Sequence, residues 1–249
     1  MSRRDDVNKL YNIPNILNGI ETLLFIIDII AAVVALSGKL DVVSIAITIQ
    51  IISALFYFIF SVIDDGLFWY EAERARRKNS IEKGFGVRLS ELETEEYYNN
   101  QNKESIEKYA LNALESNLFT KDIAGKMMLP SCIKSGIAIA ALVIACRFVT
   151  DSELLLIIAQ TAFSSYILLD TVMLVIYKCR MDSLFKEGYA LLITPGIKGK
   201  SKNATLLVYA VEYEAIKAYY KIRLSKKIFN KNNTRLSEEW ENMKSHRAK

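Results

Sequence analysis

The chain has 249 residues, of which 51% are hydrophobic and 24% charged, with 32 Lys and Arg against 28 Asp and Glu for a formal net charge of +4. The two kinds of residue are segregated along the chain, so one large domain or two small ones are compatible with its length. Its three cysteines, Cys132, Cys146 and Cys179, are odd in number and without paired spacing, which excludes a disulfide framework and a cysteine metal site and fits small residues of membrane helices in a reducing compartment.

The N-terminus, MSRRDDVNKLYNIPNILNGIETLLFIIDII, begins basic and turns apolar, with Ala35 and Ser37 placed where a signal peptide could be cleaved. The polar lead is long, Glu21 and Asp28 interrupt the apolar part, and cleavage would leave an odd number of spans. A retained anchor is therefore expected. Four apolar runs follow from it: Leu17 to Ser37, Val42 to Ile63, Pro130 to Thr150 and Leu154 to Tyr177. Each is long enough for a hydrocarbon core of about 30 Å. Very short polar loops join them in pairs, which favours two membrane hairpins over a soluble all-helical protein with unusually apolar central helices.

The expected fold is an all-α membrane protein with four transmembrane helices and helical extensions forming a cytoplasmic bundle. Its parts are an N-terminal hairpin (1–65), a helical region (66–128), a second hairpin (129–178) and a basic helical tail (179–249). Arg3, Arg4 and Lys9, then Arg74, Arg76, Arg77 and Lys78, then Lys121, Lys126 and Lys134, then Lys178, Arg180 and Lys186 flank the runs on one side. That side is the cytoplasm, and both termini lie there. The opposite loops are Gly38 to Asp41 and Asp151 to Glu153, with Lys39 as their one cation, although Arg147 can snorkel outward.

After the second run, FWYEAERARRKNSIEK contains good helix formers, so the helix is expected to continue until Gly84 and Gly86 break it. A second amphipathic helix is expected from about Ser105 to Met128, with Pro130 opening the next one. The fourth run is expected to continue through YKCRMDSLFKEGYALLI. A last helix is expected from Ala204 to about Phe229, with a frayed polar end after Asn230.

The usual parts of an enzyme are missing. The one histidine is His246, and no nucleophile elbow, phosphate-cradling glycine loop or metal-ligand cluster is present, so no catalytic residue, cofactor or metal is assigned. The informative residues are the ionisable ones within the bilayer, because a charge there costs at least about 2.5 kcal/mol and generally faces other helices or water. Glu21 and Asp28 are seven residues apart and share a face. Asp28 falls about 16 Å into the first span, Gln50 at similar depth in the second, and Asp170 nearer the level of Glu21. With Gln160 and the pair Asp64 and Asp65, they form a set of pore-lining candidates. The other reading makes them hydrogen-bonded glue within the bundle, with Asp64 and Asp65 a solvated helix end. A single four-helix bundle packs its own centre, so conduction requires several copies, and a homo-oligomer, with a tetramer as the expected number, is the partner state beside the lipid bilayer.

From Lys178 to Lys249 sixteen basic residues face seven acidic ones, whereas Gly66 to Met128 is near neutral. Lys217, Lys221, Arg223, Lys226 and Lys227, interleaved with Tyr209, Tyr213 and Tyr220, suit phosphates and stacked bases, and Arg74, Arg76, Arg77 and Lys78 are a second set of ligand-binding candidates. Attraction to anionic lipid and ordinary core tyrosines are equally good accounts.

The succession GFGVRLSELETEEYYNN from Gly84 to Asn100, followed by LESNLFTKDIAGKMM from Leu114 to Met128, resembles small four-span bacterial membrane effectors associated with nucleotidyltransferases in anti-phage defence, those of the Hailong type among them. The resemblance covers the four-span layout and this middle third, and not the tail. It implies an inner-membrane effector or ion channel controlled by a nucleotide or oligonucleotide signal, whose opening depolarises the infected cell and arrests growth. It also implies that Tyr97, Tyr98, Asn99, Glu115, Asn117 and Phe119 belong to a regulatory cytoplasmic layer. From the residues themselves, Phe119 and the tyrosines read equally as bundle packing. A membrane scaffold that recruits a cytoplasmic partner without conduction is the alternative function, and a transporter is disfavoured because the spans lack glycine or proline breaks at mid-membrane.

Overall fold

A computed structural model describes residues 5–35, 40–92, 94, 98, 103–148, 167–193 and 200–247. The described residues are helical, with no strand among them beyond one antiparallel bridge between Asp5 and Thr94. The helices are α1 (Asp6–Lys9), α2 (Asn12–Ala35), α3 (Leu40–Ile63), α4 (Trp69–Phe85), α5 (Ile106–Phe148), α6 (Ile167–Leu192), α7 (Lys200–Tyr220) and α8 (Lys226–Arg247), with a π-helical turn, Asp64–Phe68, joining α3 to α4.

The chain divides into two compact units. Unit 1 is Met1–Val7, Ala75–Ser131 and Thr171–Lys249, and unit 2 is Asn8–Arg74 and Cys132–Asp170. The two expected hairpins thus fall largely in unit 2, and the middle region and the tail in unit 1.

Unit 1 is held by a conventional apolar core. Tyr109, Leu114 and Leu118 of α5, Tyr177, Met181 and Leu184 of α6, Leu206, Tyr209 and Tyr213 of α7, and Leu236 and Trp240 of α8 are all buried together. Each large apolar side chain so removed from water contributes about 1.5–3 kcal/mol. The approach of α4 to α5 is close enough that a Cβ on Gly84 would stand 2.6 Å from the Cβ of Tyr109. As expected, α4 ends here: Gly86 has φ +64°, a left-handed conformation natural to glycine, and its N–H bonds the Glu82 carbonyl at 2.8 Å. The extreme N-terminus joins this unit through Asp5, 3.5 Å from Arg76, and through buried Val7.

In unit 2, α2 packs against α3 and against the π turn. Two segments, Asp6–Ala31 and Asp41–Phe85, are long and apolar enough to cross a membrane by length and composition. Only 6% and 17% of their apolar windows are buried, which separates them from the core helix of a soluble protein. The third expected span starts inside α5, and its last two residues, 149–150, lie outside the described residues. The fourth lies outside them from 154 to 166.

Three expectations on helix boundaries are corrected. Pro130 opens no helix but sits inside the continuous 43-residue α5, an arrangement helices tolerate where neighbouring groups satisfy the freed carbonyl. The last helix is two helices, because the chain turns at Lys221, whose φ is +49°. The segment after Asn230 is not frayed: it forms most of α8, fixed by fully buried Leu236 and Trp240 one turn apart.

Candidate functional site

The burial pattern of unit 2 is inverted relative to that of a soluble protein. Along α2 the described residues that are enclosed are Pro14, Glu21, Ala31 and Ala35, and along α3 they are Ala46, Gln50 and Ser53, followed by Asp64 in the π turn. Ile16, Leu23, Ile30, Ile45, Ile51, Leu55, Phe58 and Val62 instead point outward. The spacing of three and four residues from Ala46 to Gln50 and Ser53 places these on one helix face. Small and polar residues let backbones approach and hydrogen-bond across helices, which is how membrane helices associate when lipid is as apolar as leucine. Ser53 accordingly donates to Asp28 Oδ1 at 3.3 Å across the hairpin.

The π turn puts Asp64 where the outside cannot reach it: it is 0% exposed, while Asp65 beside it is half-buried. Reading this pair as a solvated helix end is therefore corrected for Asp64. An extra residue in a helical turn rotates the side chains that follow, and such π turns are frequent at functional positions. Of the pore-lining candidates, then, Glu21, Gln50 and Asp64 are enclosed, Asp28 and Asp65 are half-buried and Asp170 on α6 is exposed. Gln160 lies outside the described residues.

In unit 1 a polar layer crosses the apolar core. Asn117 of α5 is fully buried, and its amide spans one rung of α6, donating to the Met181 carbonyl at 3.2 Å and accepting from the Phe185 N–H at 3.1 Å. Buried Thr120 bonds Tyr213 Oη at 3.2 Å. Thr94 donates to the buried Asn79 Oδ1 at 2.5 Å, and Tyr98 Oη lies 3.2 Å from Ser80 Oγ. Burial and then the charge of Glu214 push the Tyr109 phenol up to about 12, and burial raises Tyr209 and Tyr213 further. These phenols stay protonated at any ordinary pH.

Of the regulatory-layer residues, Glu115 and Asn117 are buried on α5, and Phe119 packs on Phe229 with ring centroids 5.9 Å apart. Tyr98 contacts Ser80, as above. Tyr97 and Asn99 lie outside the described residues.

The ligand-binding candidates do not form one cluster. Arg74 belongs to unit 2 and pairs with Glu71 at 3.3 Å, while Arg76 reaches Asp5. Arg77 and Lys78 are half-buried on α4. Lys217 lies 3.8 Å from Glu214. Tyr213 is corrected as a stacking platform, since burial and its bond to Thr120 turn it into core, and Tyr220 packs on Tyr177 at 5.8 Å. Lys221, Arg223, Lys226 and Lys227 lie close in the chain, in the connection between α7 and α8 and at the start of α8.

Several contributors have no clear signal in the sequence. Asp122 is one: burial opposes its ionisation, but hydrogen bonds from Lys126 and from Arg235, the latter at 2.6 Å, outweigh it and hold its carboxyl below the usual range. Lys121 is another, its ammonium 3.6 Å from the Phe185 ring centroid and its pKa lowered mainly by burial. Each site needs one partner distant in the chain, Arg235 for Asp122 and Phe185 for Lys121. Among the described residues no group of His, Cys, Asp and Glu is arranged to hold a metal ion. Comparison with known proteins adds no assignment: no protein-family model, no curated protein and no solved structure matches the chain.

Proposed function

We propose that the chain is a four-span membrane protein that assembles as a homo-oligomer, with a tetramer as the working number, into a cation-conducting pore of a bacterial inner membrane. The observation that carries this reading is the inverted hairpin: carboxylates and amides along an enclosed seam, large aliphatics outside. Lipid as the surrounding solvent accounts for the outer face, and a role in ion passage accounts for retaining Asp28 and Asp170 where carboxylates are costly. Glu21, Gln50 and Asp64 are sealed within the protomer, so a pore between copies draws on outward-facing Asp170 and half-buried Asp28 and Asp65. Basic residues flanking the expected spans on one side support a cytoplasmic unit 1 with both termini on that side.

In this reading unit 1 is the control element, and α4, α5 and α6, each of which contributes residues to both units, carry its state to the spans. The likeness of Gly84 to Asn100 and Leu114 to Met128 to nucleotidyltransferase-associated defence effectors supports a nucleotide or oligonucleotide as the signal, and depolarisation with growth arrest as the outcome. The protein carries out no reaction of its own.

Planar-bilayer recording of the purified chain, paired with a voltage-sensitive dye in expressing cells, tests the proposal. Cation current that falls severalfold in Asp170→Asn supports it. No current under any nucleotide, with cells holding their potential, rejects it. A scaffold without conduction is the second reading, favoured by the Ser53 to Asp28 hydrogen bond, which gives the seam an internal purpose. It predicts that Asp28→Asn and Asp170→Asn leave cellular function intact.

A further inference from the structure

Unit 1 has an end defined by its own bonds. Ser131 of α5 and Thr171 of α6, the last residues of each helix inside the unit, join through their hydroxyls at 2.7 Å. Just inside that end lies the turn between α7 and α8. The Ser225 N–H points at Met127 Sδ, 3.3 Å away, and Tyr220 packs on Tyr177. Met127 is four residues from Ser131 and Tyr177 six from Thr171, or about 6 and 9 Å along their helices. Along α5 and α6, the turn's contacts thus lie within about 10 Å of the residues at which these helices pass out of unit 1, a distance comparable to the headgroup layer of a bilayer.

The composition of the turn matches that level. Lys221, Lys226 and Lys227 are exposed, Arg223 is half-buried between them, and Tyr219 is 73% exposed. Cations held next to an outward aromatic ring form the pattern by which proteins anchor at the cytoplasmic face of a membrane, with the ring at the headgroup boundary and the charges on lipid phosphates. Lys221 at φ +49° follows the end of α7, so Lys221, Arg223, Lys226 and Lys227 fall within the short connection and the first turn of α8.

We propose that the α7–α8 turn is an interfacial anchor that binds the phosphates of anionic phospholipid, with Lys226, Lys227 and Arg223 as the charge contacts and Tyr219 as the ring at the headgroup boundary. The inference rests on the membrane reading above. It assigns this part of the basic tail to lipid and leaves the search for a nucleotide site to other surfaces of unit 1.

The test uses the full chain with Tyr219→Cys in a background whose native cysteines are replaced by alanine, labelled with bimane and reconstituted in phosphatidylcholine vesicles. Spin-labelled phosphatidylglycerol is then titrated in. Quenching is expected to exceed that of a bimane at Glu238→Cys, about 18 Å along α8 from Lys226, and to exceed that with spin-labelled phosphatidylcholine. Neutralising Lys226 and Lys227 to Gln is expected to raise the half-saturating fraction of phosphatidylglycerol by about fivefold or more. Equal quenching by the two lipids, or no change in the Gln variant, overturns the anchor. Loss of the lipid preference on adding inorganic phosphate identifies a free-phosphate site instead and overturns it too. If the chain does not float with vesicles, the membrane reading itself fails; if it floats without headgroup quenching, only the anchor does.

Discussion

Unit 1 and unit 2 are made of the same kind of helix and bury opposite residues. Unit 1 encloses Leu118, Met181, Tyr177 and Trp240, whereas unit 2 encloses Glu21, Gln50, Ser53 and Asp64 and turns Ile51, Leu55 and Phe58 outward. Helical propensity does not distinguish them, and the proposed membrane reading puts the difference in the solvent each is built for. Water drives the large apolar side chains of unit 1 together. In the membrane reading proposed above, lipid leaves those of unit 2 indifferent to burial, and the polar and small groups associate instead.

The comparison breaks if substitutions of one chemical kind have the same effect in both units. The largest loss is expected from Trp240→Ala, about 3–5 kcal/mol by the cost of emptying a large aromatic site, read as a drop in the denaturation midpoint of unit 1. Next comes Ile52→Lys, halfway along α3 on the outward face, where a cation at mid-membrane costs about 2.5–3.5 kcal/mol. Its readout is a fall in the carbonate-resistant fraction, and full membrane retention would contradict a lipid-facing α3. Gly84→Ala forces the new methyl onto Tyr109, with an expected cost of about 1–3 kcal/mol in the same unfolding assay as Trp240→Ala.

Ser53→Ala removes the hydrogen bond to Asp28 and is expected to cost only about 0.6 kcal/mol in a refolding measurement in micelles, the usual worth of such a bond between membrane helices. The smallest effect is expected from Phe58→Ala, within about 0.5 kcal/mol, because its ring has lipid on one side in both states. A loss comparable to that of Trp240→Ala would show that the ring packs in a core.

What was legible in the sequence follows the same division. The first hairpin and the run of α4 to Gly86 are visible because apolar length and glycine conformation are local signals. The faces of α2 and α3 were half legible: the seven-residue spacing of Glu21 and Asp28 puts them on one side, but which side is enclosed depends on the partner helix. Helix α8 was not legible, since KKIFNKNNTRLSEEWENMKSHR is polar apart from a few residues, and its order comes from Leu236 and Trp240 docking on α5, α6 and α7. Pro130 misled because its local preference to open a helix is overridden within α5. Tyr213 misled because aromatic and cationic residues at helical spacing read alike whether the rings are buried or exposed. The complete burial of Asp64, set against half-buried Asp65, was not legible because a π turn leaves no mark in composition.

The claim tested most directly is that lipid surrounds α2 and α3. A spin label at Ile52→Cys, in a background without native cysteines and in nanodiscs, reports which solvent meets that face. The account predicts strong collision with oxygen, which concentrates in hydrocarbon, and shielding from a water-soluble nickel chelate. A label relaxed by the chelate and not by oxygen would contradict it.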